Sequence, residues 1–495
     1  MRLVIDIATE RDINVLRQVA LLQDREIQRL HTRLAALLAA AGADQGGIQQ
    51  ELEALRAQLA QRNRALFGDS SEKRPHDRPD PPPPAPVRGH GPTPQPRLPV
   101  VDEIFTLPDG DRPCPQCGGQ LDPMTGQFED AEEITVIERH FQVTRQRRQK
   151  YRCRCNGQVA TAPGPVKLQA GGRYAPAFAI EVAASKFLDH LPLERQVRMM
   201  AREGLDVTSQ TLWDQIEILA RTLQPTYEAI RDVVLAAPVI GADETYWRMM
   251  RASGSIAGTS RWWTWCITSP DAVYFHILKH RSQEAARVIL GRYGGVVMAD
   301  GYGAYTALAR GAPGFVLAHC WAHVRRKFVE IADTAPVASR EVLDLLARLY
   351  AVDRAAQDRA ADGAVLLDAR RELRARDAQP IVARLREWAC AQAVLPQSGL
   401  GKAIAYMLGM WDGLTRFLAD PRIPLDNNAT ERAIRGPVIG RKNFYGARSQ
   451  RGTEVAALFY TLGETAKLRG VEPKTYLRQA VLAALIAPGT VTLPA

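Results

Sequence analysis

Four consecutive prolines, Pro81 to Pro84, constrain this chain more than any other feature. Proline fixes φ and offers no backbone N–H, so such a run can join neither a helix nor a central strand. The stretch from Arg74 to Pro99 is therefore expected to be an extended linker, and the junction continues to residue 111, before the first cysteines. Residues 1–73 should then fold or associate apart from the rest of the chain.

Residues 1–73 carry a heptad-like pattern. Ile13, Leu16, Ile27, Leu30, Leu34 and Leu37 fall on three- and four-residue steps, with Ala20 and Gln23 as weak members. After a break at Gly42, Gly46 and Gly47 the pattern resumes at Ile48, Leu52, Leu55 and Leu59. The spacing predicts a coiled-coil seam. A helical hairpin packed on its own chain satisfies the same pattern. The linker isolates the segment and so favours self-association, which makes a homo-oligomer the expectation.

At roughly 100–200 residues per domain, 495 residues suggest three or four domains. A hydrophobic content of 46% is enough for a sizeable core, and a net charge of +10 leans towards a polyanionic partner such as nucleic acid. No run of about eighteen apolar residues suggests a membrane span. Met1 to Asp12 lacks the basic-then-apolar order of a secretory signal. A cytoplasmic protein is expected, with its seven cysteines reduced and clustered ones acting as metal ligands rather than disulfides.

Downstream of the linker, residues 112–163 read as a small cysteine-containing unit and 164–236 as a helical region. Leu191 to Leu223 forms two helices broken at Gly204. Strand candidates come next at Val239–Trp247, Arg261–Thr268 and Ala272–Lys279, then a helix at Gln283–Tyr293. Strands at Gly295–Asp300 and Phe315–Ala318 and a helix at Ala322–Ile331 complete residues 237–336. This order is α/β with a mixed sheet. Residues 337–416 are almost all helical and look inserted. Residues 417–447 return to the sheet, and Pro421 to Leu485 reads as mixed loop and helix, with 448–495 as the C-terminal region.

Asp243 lies on the first of these strands and Asp300 at the end of the fourth, where Gly301 begins a turn. If the strands are neighbours, both carboxylates emerge at one end of the sheet, where ligand sites gather. Adjacent carboxylates repel unless a cation lies between them, so they suit a divalent metal. Glu431, in Asp426-Asn-Asn-Ala-Thr-Glu-Arg-Ala-Ile-Arg, sits on a helix that could lie across the sheet and deliver a third ligand. Three hard oxygen ligands and waters would hold two magnesium (or manganese) ions about 4 Å apart, a pair suited to phosphoryl transfer. The bland reading makes both aspartates strand-end turn residues. Glu244 competes with Asp243, because strand neighbours face opposite ways and only one can serve.

These residues resemble a known family, the transposases of insertion sequence sixty-six within the DDE superfamily. The resemblance is carried by Phe67-Gly-Asp-Ser-Ser-Glu-Lys, Cys114-Pro-Gln-Cys-Gly-Gly, Leu191-Pro-Leu-Glu-Arg, Ala242-Asp-Glu-Thr and Asp300-Gly-Tyr. It continues in Cys320-Trp-Ala-His-Val-Arg-Arg-Lys-Phe, Asn427-Asn-Ala-Thr-Glu-Arg-Ala-Ile-Arg and Gly440-Arg-Lys-Asn-Phe. It implies an RNase H-like core with Asp243, Asp300 and Glu431 as the catalytic carboxylates, and it selects Asp243 over Glu244. The aspartates are 300 − 243 = 57 residues apart, whereas 431 − 300 = 131 residues separate Asp300 from Glu431, room for the helical insertion. It also implies a bacterial, nucleoid-associated location and accessory proteins of the same element.

Cys114 and Cys117 form a knuckle followed by two glycines, and Cys153 and Cys155 form a pair after a strand expected at Ile134–Val143. Four thiolates can close a structural zinc site. A metal-free domain with reduced cysteines is the alternative. The resembling family usually has two residues between the second pair, and this chain has one. Arg145, Arg147, Arg148, Lys150, Arg152 and Arg154 crowd the second arm, either gripping phosphates or forming a solvated face.

Pro192 to Ala220 resembles a helix-turn-helix, with Leu193–Ala201 and Ser209–Leu219 as its helices. Ser209, Gln210 and Thr211 would open the recognition helix. An ordinary helical hairpin is the alternative. His319, Cys320 and His323 have no fourth ligand near them in sequence, so a structural or DNA-facing role is expected. Arg325, Arg326 and Lys327, with Arg432, Arg435, Arg441, Lys442, Arg448 and Arg451, are candidates for holding DNA phosphates. The function expected is cleavage at element ends and transfer into target DNA. A non-catalytic DNA-binding regulator and a structure-specific nuclease of the same fold are the alternatives.

Overall fold

The computed structural model describes residues 99–495, except 153–158, 251–259, 312–313 and scattered positions between 103 and 138; of residues 1–98 it describes Thr32. The predicted seam therefore lies outside the described residues. Among the described residues, the chain divides into two compact units, one ending at His140 and the other running from Phe141 to Ala495. The division at 140/141 runs through the span 112–163. In the smaller unit the Leu121 N–H donates to the Arg112 carbonyl at 2.7 Å, and Cys117 is exposed ahead of Gly118 at φ +73°.

The larger unit opens with a short antiparallel hairpin, β1 (Lys150–Arg152) and β2 (Val159–Thr161). The expected strand at 134–143 is not formed at its described positions, Ile134 and 139–143. The ladder forms further along the chain, with Lys150 opposite Thr161 and Arg152 opposite Val159. Three helices follow, α1 (Pro176–Phe187), α2 (Leu193–Arg202) and α3 (Ser209–Ala236). Gly204, at φ +81°, makes the break between α2 and α3, and the Thr208 hydroxyl caps α3 by accepting the Thr211 N–H. The helix α3 continues past Leu219 to Ala236, because Leu212, Ile216, Leu219, Leu223 and Ile230 form one apolar stripe against the core.

The central sheet contains β3 (Val239–Met249), β4 (Ser260–Thr268), β5 (Val273–Leu278), β6 (Val296–Ala299) and β7 (Val316–His319), in the order β5-β4-β3-β6-β7. β3, β4 and β5 meander antiparallel, and β6 and β7 add parallel to β3, joined through α4 (Gln283–Leu290) and α5 (Gly303–Ala309). The sheet is mixed, as its element order predicts. After β7 come α6 (Trp321–Glu330) and a helical block: α7 (Pro336–Ala361), α8 (Leu366–Leu373), a π-helical turn at Arg374–Ala378, α9 (Gln379–Ala391), α10 (Gly399–Gly409) and α11 (Trp411–Thr415). Arg374, 2% exposed, pairs with Asp353 at 2.6 Å and donates to the carbonyls of Phe417 and Ile423, fastening this block to the chain that returns to the sheet.

The C-terminal portion is more helical than its sequence suggests: α12 (Asn428–Phe444), α13 (Gln450–Leu468) and α14 (Pro473–Ile486). α13 covers the edge strand β5. Its Thr461 and Thr465 hydroxyls accept the N–H groups of Phe275 and Val273 at 2.9 and 3.1 Å, so an otherwise open edge finds partners.

Candidate active site

β3 presents two different faces. Gly241, Asp243, Thr245 and Trp247 lie on the side of α12, and Glu244 points the other way. Gly241 is needed for this contact: a Cβ there would collide with Thr430 and lie 2.5 Å from Asn427 Oδ1. The gap is filled by a chain of polar groups. Asn427 donates to the Ala242 carbonyl at 2.9 Å, Thr430 donates to Asn427 Oδ1 at 2.6 Å, and Thr430 meets the Thr268 hydroxyl of β4 at 2.7 Å. Glu431, one residue beyond Thr430 in the first turn of α12, is thereby brought to the Asp243 side of the sheet. An acidic residue in a first helical turn also complements the helix dipole.

Asp300 follows β6 directly. The β3/β6 register pairs Val239 with Val296 and Gly241 with Met298, so continuing it by two residues sets Asp300 beside Asp243 and on the same face. Asp300 Oδ1 accepts the Tyr302 N–H at 3.0 Å, which fixes the turn, and Gly301 gives room for Met410, between α10 and α11, whose Sδ would lie 2.8 Å from a Cβ.

The electrostatics follow from this crowding. The Asp243 carboxyl is pushed up to about 7, by burial first, then by Glu244, Asp300 and Glu431, against the Glu244 N–H that it accepts at 2.8 Å. Glu431 has His323 Nε2 at 3.7 Å from Oε1 and Arg326 at 3.6 Å from Oε2, and its Oε1 is buried without a hydrogen-bond partner. Burial lowers the His323 pKa, with Glu431 opposing. The three carboxylates repel one another on this side of the sheet, with Arg326 opposing at Glu431, and a divalent cation would relieve that repulsion.

Glu244 is committed elsewhere. Its side chain is fully buried, accepts from Arg281 at 2.7 Å and from the Tyr305 hydroxyl at 2.7 Å, and Arg281 stacks 3.8 Å from the Tyr302 ring centroid. Glu244 thus braces the Asp300-Gly301-Tyr302 turn from behind.

The other candidate residues are scattered. Ser209, Gln210 and Thr211 open α3, with Gln210 exposed and donating to Asp214 at 2.7 Å. Arg325, Arg326 and Lys327 are half-buried on α6, with Lys327 3.1 Å from Glu330. Arg432, Arg435, Lys442 and Arg448 are exposed. Arg441 is turned inward: it donates to Thr245 Oγ1 and the Tyr246 carbonyl and lies 3.6 Å from the Tyr246 ring centroid. Arg451 pairs with Glu217 and Glu454, both at 3.1 Å. Arg145, Arg147, Arg148, Lys150 and Arg152 are exposed. Cys114, Cys153 and Cys155 lie outside the described residues. Asn427, Gly241, Arg281 and Tyr305 escape a reading based on motif chemistry, because each meets a partner far away in sequence. His319 packs against Gly413, whereas Cys320 and His323 come together with Glu431, a neighbour 431 − 323 = 108 residues away.

The family model "Transposase IS66 family" matches residues 171–455, a span holding all three carboxylates. This chain belongs to the IS66 transposase family. A second model, "zinc-finger binding domain of transposase IS66", matches residues 111–156, which contain Cys114, Cys117, Cys153 and Cys155. That zinc-finger domain supports a structural zinc in this transposase-family chain. Among its relatives are three uncharacterized proteins of Sinorhizobium fredii (strain NBRC 101917 / NGR234). The protein y4jD is 30% identical over 396 residues, covering 77% of this chain and 76% of its own. The protein y4hP is 29% identical over 479 residues (92% and 80%), and y4qI is 32% identical over 384 residues (74% and 69%). Among the described residues, no helix of this family member is long and apolar enough to cross a membrane.

Proposed function

We propose that this chain is a DDE transposase with an RNase H-like core, which cuts DNA at the ends of its mobile element and joins those ends to target DNA in the bacterial cytoplasm. The observation that carries this reading is the pooling of Asp243, Asp300 and Glu431 on one face of the sheet, where mutual repulsion and burial raise the Asp243 carboxyl to about 7. These three residues would hold magnesium or manganese. When bound, the metal supplies activation of the attacking hydroxyl and charge stabilisation at the leaving oxygen. The chain itself supplies placement: Asn427 and Thr430 set Glu431 against β3, and the Tyr302 turn, braced by Arg281 and Glu244, sets Asp300.

Arg325, Arg326, Lys327, Arg432, Arg435 and Lys442 are the proposed phosphate contacts. Arg441 acts instead as a support for β3. The α2–α3 pair is proposed as a helix-turn-helix that meets DNA through Ser209, Gln210 and Thr211, with the four cysteines holding one structural zinc. The seam in residues 13–59 pairs two chains so that two ends are held together, with accessory proteins of the same element as further partners.

The test uses DNA carrying the termini of the element in which the gene lies. With magnesium, the wild type should cleave these ends and join them to a target. Asp243→Asn, Asp300→Asn and Glu431→Gln should each abolish cleavage and keep DNA binding. Normal cleavage by any one variant removes that residue from the site. Cleavage without joining would make the protein a nuclease, and binding without either would make it a regulator.

A further inference from the structure

Glu431 has a second set of neighbours besides the aspartates. Cys320 follows the last residue of β7 at the N-cap position of α6, and His323 lies in the first turn of that helix. The Cys320 sulfur, a ring nitrogen of His323 and a carboxylate oxygen of Glu431 all lie within 4.8 Å of one another. His323 Nε2 and Glu431 Oε1 are 3.7 Å apart, too far for a hydrogen bond, and Glu431 Oε1 is a buried atom with no hydrogen-bond partner. Ligand atoms on one tetrahedral zinc ion, with bonds of about 2.0–2.3 Å, sit roughly 3.3–3.8 Å apart. The histidine–glutamate edge already has that length, and the sulfur is at most about an ångström outside it.

The donor set differs in kind from the catalytic one. Asp243, Asp300 and Glu431 offer oxygen alone, which suits magnesium. A thiolate, an imidazole and a carboxylate suit zinc, which outcompetes magnesium wherever sulfur and nitrogen replace oxygen. Burial pushes the Cys320 thiol up to about 12; the Asn427 N–H, which the sulfur accepts at 3.2 Å, works against this and holds the sulfur in place.

We propose that Cys320, His323 and Glu431 form a second metal site, selective for zinc, which withdraws Glu431 from Asp243 and Asp300 and so switches the catalytic site off. The proposal rests on the reading of Glu431 as a catalytic carboxylate. On binding, the Cys320 thiol gives its proton to solvent and forms the zinc–sulfur bond, His323 coordinates as the neutral ring, and Glu431 turns one oxygen from the aspartates to the ion. A water takes the fourth position. No electrons change hands. Because Glu431 serves both sites, magnesium in one and zinc in the other compete for a single side chain.

The experiment uses the full chain, treated with a weak chelator so that the tightly held zinc of the cysteine domain stays in place. Cobalt(II) then serves as a coloured stand-in for zinc. The wild type should bind one further cobalt per chain, with a thiolate-to-cobalt absorption band. Cys320→Ser, which keeps an acceptor for the Asn427 N–H, should lose the band. His323→Gln should weaken cobalt binding by at least about 10–100-fold, the loss usual when even an outer partner of a metal ligand is removed. Zinc added to a magnesium-dependent cleavage reaction should inhibit the wild type at concentrations that leave His323→Gln at its own magnesium-only rate. Thermal unfolding checks that both variants fold. His323 is half-buried on the first turn of its helix, so its variant carries the test if the cysteine variant does not fold. Binding and inhibition that are indifferent to Cys320 and His323 overturn the site while leaving the catalytic reading intact. Cobalt bound with the thiolate band, in a protein that never cleaves, overturns the catalytic reading while the metal site stands. Binding without inhibition overturns the sharing of Glu431.

Discussion

Asn427 donates its side-chain amide to the carbonyl of Ala242 at 2.9 Å, and so ties the helix that carries Glu431 to the residue just before Asp243. The bond is 3% exposed at its donor residue, and Thr430 completes it by donating back to the Asn427 side-chain oxygen. Asn427→Ala orphans the Ala242 carbonyl and the Thr430 hydroxyl, at a cost of about 1–3 kcal/mol. Thermal unfolding should report that loss. Manganese titration should also show weaker binding, because the carboxylates are no longer held in step. Wild-type manganese affinity in a destabilised Asn427→Ala protein would mean that this bond supports the fold alone.

Behind the site, Glu244 depends on Arg281 and Tyr305. Removing the arginine leaves a fully buried carboxylate with one hydrogen bond. Arg281→Ala should therefore destabilise the protein by about 2–3 kcal/mol. Adding Glu244→Gln to that variant removes the uncompensated charge and keeps the side-chain shape, so the double variant should be more stable than Arg281→Ala alone. A double-mutant cycle by denaturant unfolding measures the coupling. Additive effects would show that the pair does not act as one unit.

The strands of the sheet were legible because their β-branched and aromatic runs end in clear turn residues; Asp300 falls where β6 stops, whereas Asp243 lies within β3 and not at its end. The face each carboxylate takes was not legible from the strand alone, since Asp243 and Glu244 are chemically similar neighbours; the choice is made by Gly241 and Asn427 on one side and Arg281 on the other, residues brought in from distant parts of the chain. The helices after Pro421 are harder to read for another reason. Ala456, Ala457, Leu458, Phe459 and Tyr460 are all buried, so the middle of α13 is enclosed on every side and shows no amphipathic stripe. The neighbourhood of Glu431 was only half legible: Cys320 and His323 stand three residues apart at the start of α6, but Glu431 meets them from α12, 108 residues further on.

The cysteine domain makes a separate prediction. After a weak chelator, metal analysis of the full chain should find about one zinc per chain. Cys114→Ser and Cys117→Ser should each lose it. Comparing Cys153→Ser with Cys155→Ser tells which member of the tight pair is a ligand, since a true ligand loses the metal and a bystander keeps it. A full zinc complement in all four variants would end the four-thiolate assignment.

Stability should also report the state of the carboxylates, with a sign opposite to the usual one for an aspartate. In the absence of divalent ions, Asp243 titrates near 7 in the folded chain, against 3.8 for an unperturbed carboxyl. Between those values the folded protein holds a proton that the unfolded chain has already released. Stability must then fall as pH rises from about 4 to about 7, and level off above, where neither state holds the proton. Asp243→Asn has nothing to titrate, so its curve should be flatter over that range, and at neutral pH the variant should be more stable than the wild type. Magnesium competes with the proton for the same oxygens, so the stabilisation it gives should grow as pH rises towards 7 and be much smaller in Asp243→Asn. Denaturant unfolding at fixed ionic strength, with and without magnesium, measures both effects. Parallel pH curves for the wild type and Asp243→Asn would show that burial and the neighbouring carboxylates do not raise Asp243, and the case for a cation between Asp243, Asp300 and Glu431 would lose its electrostatic ground.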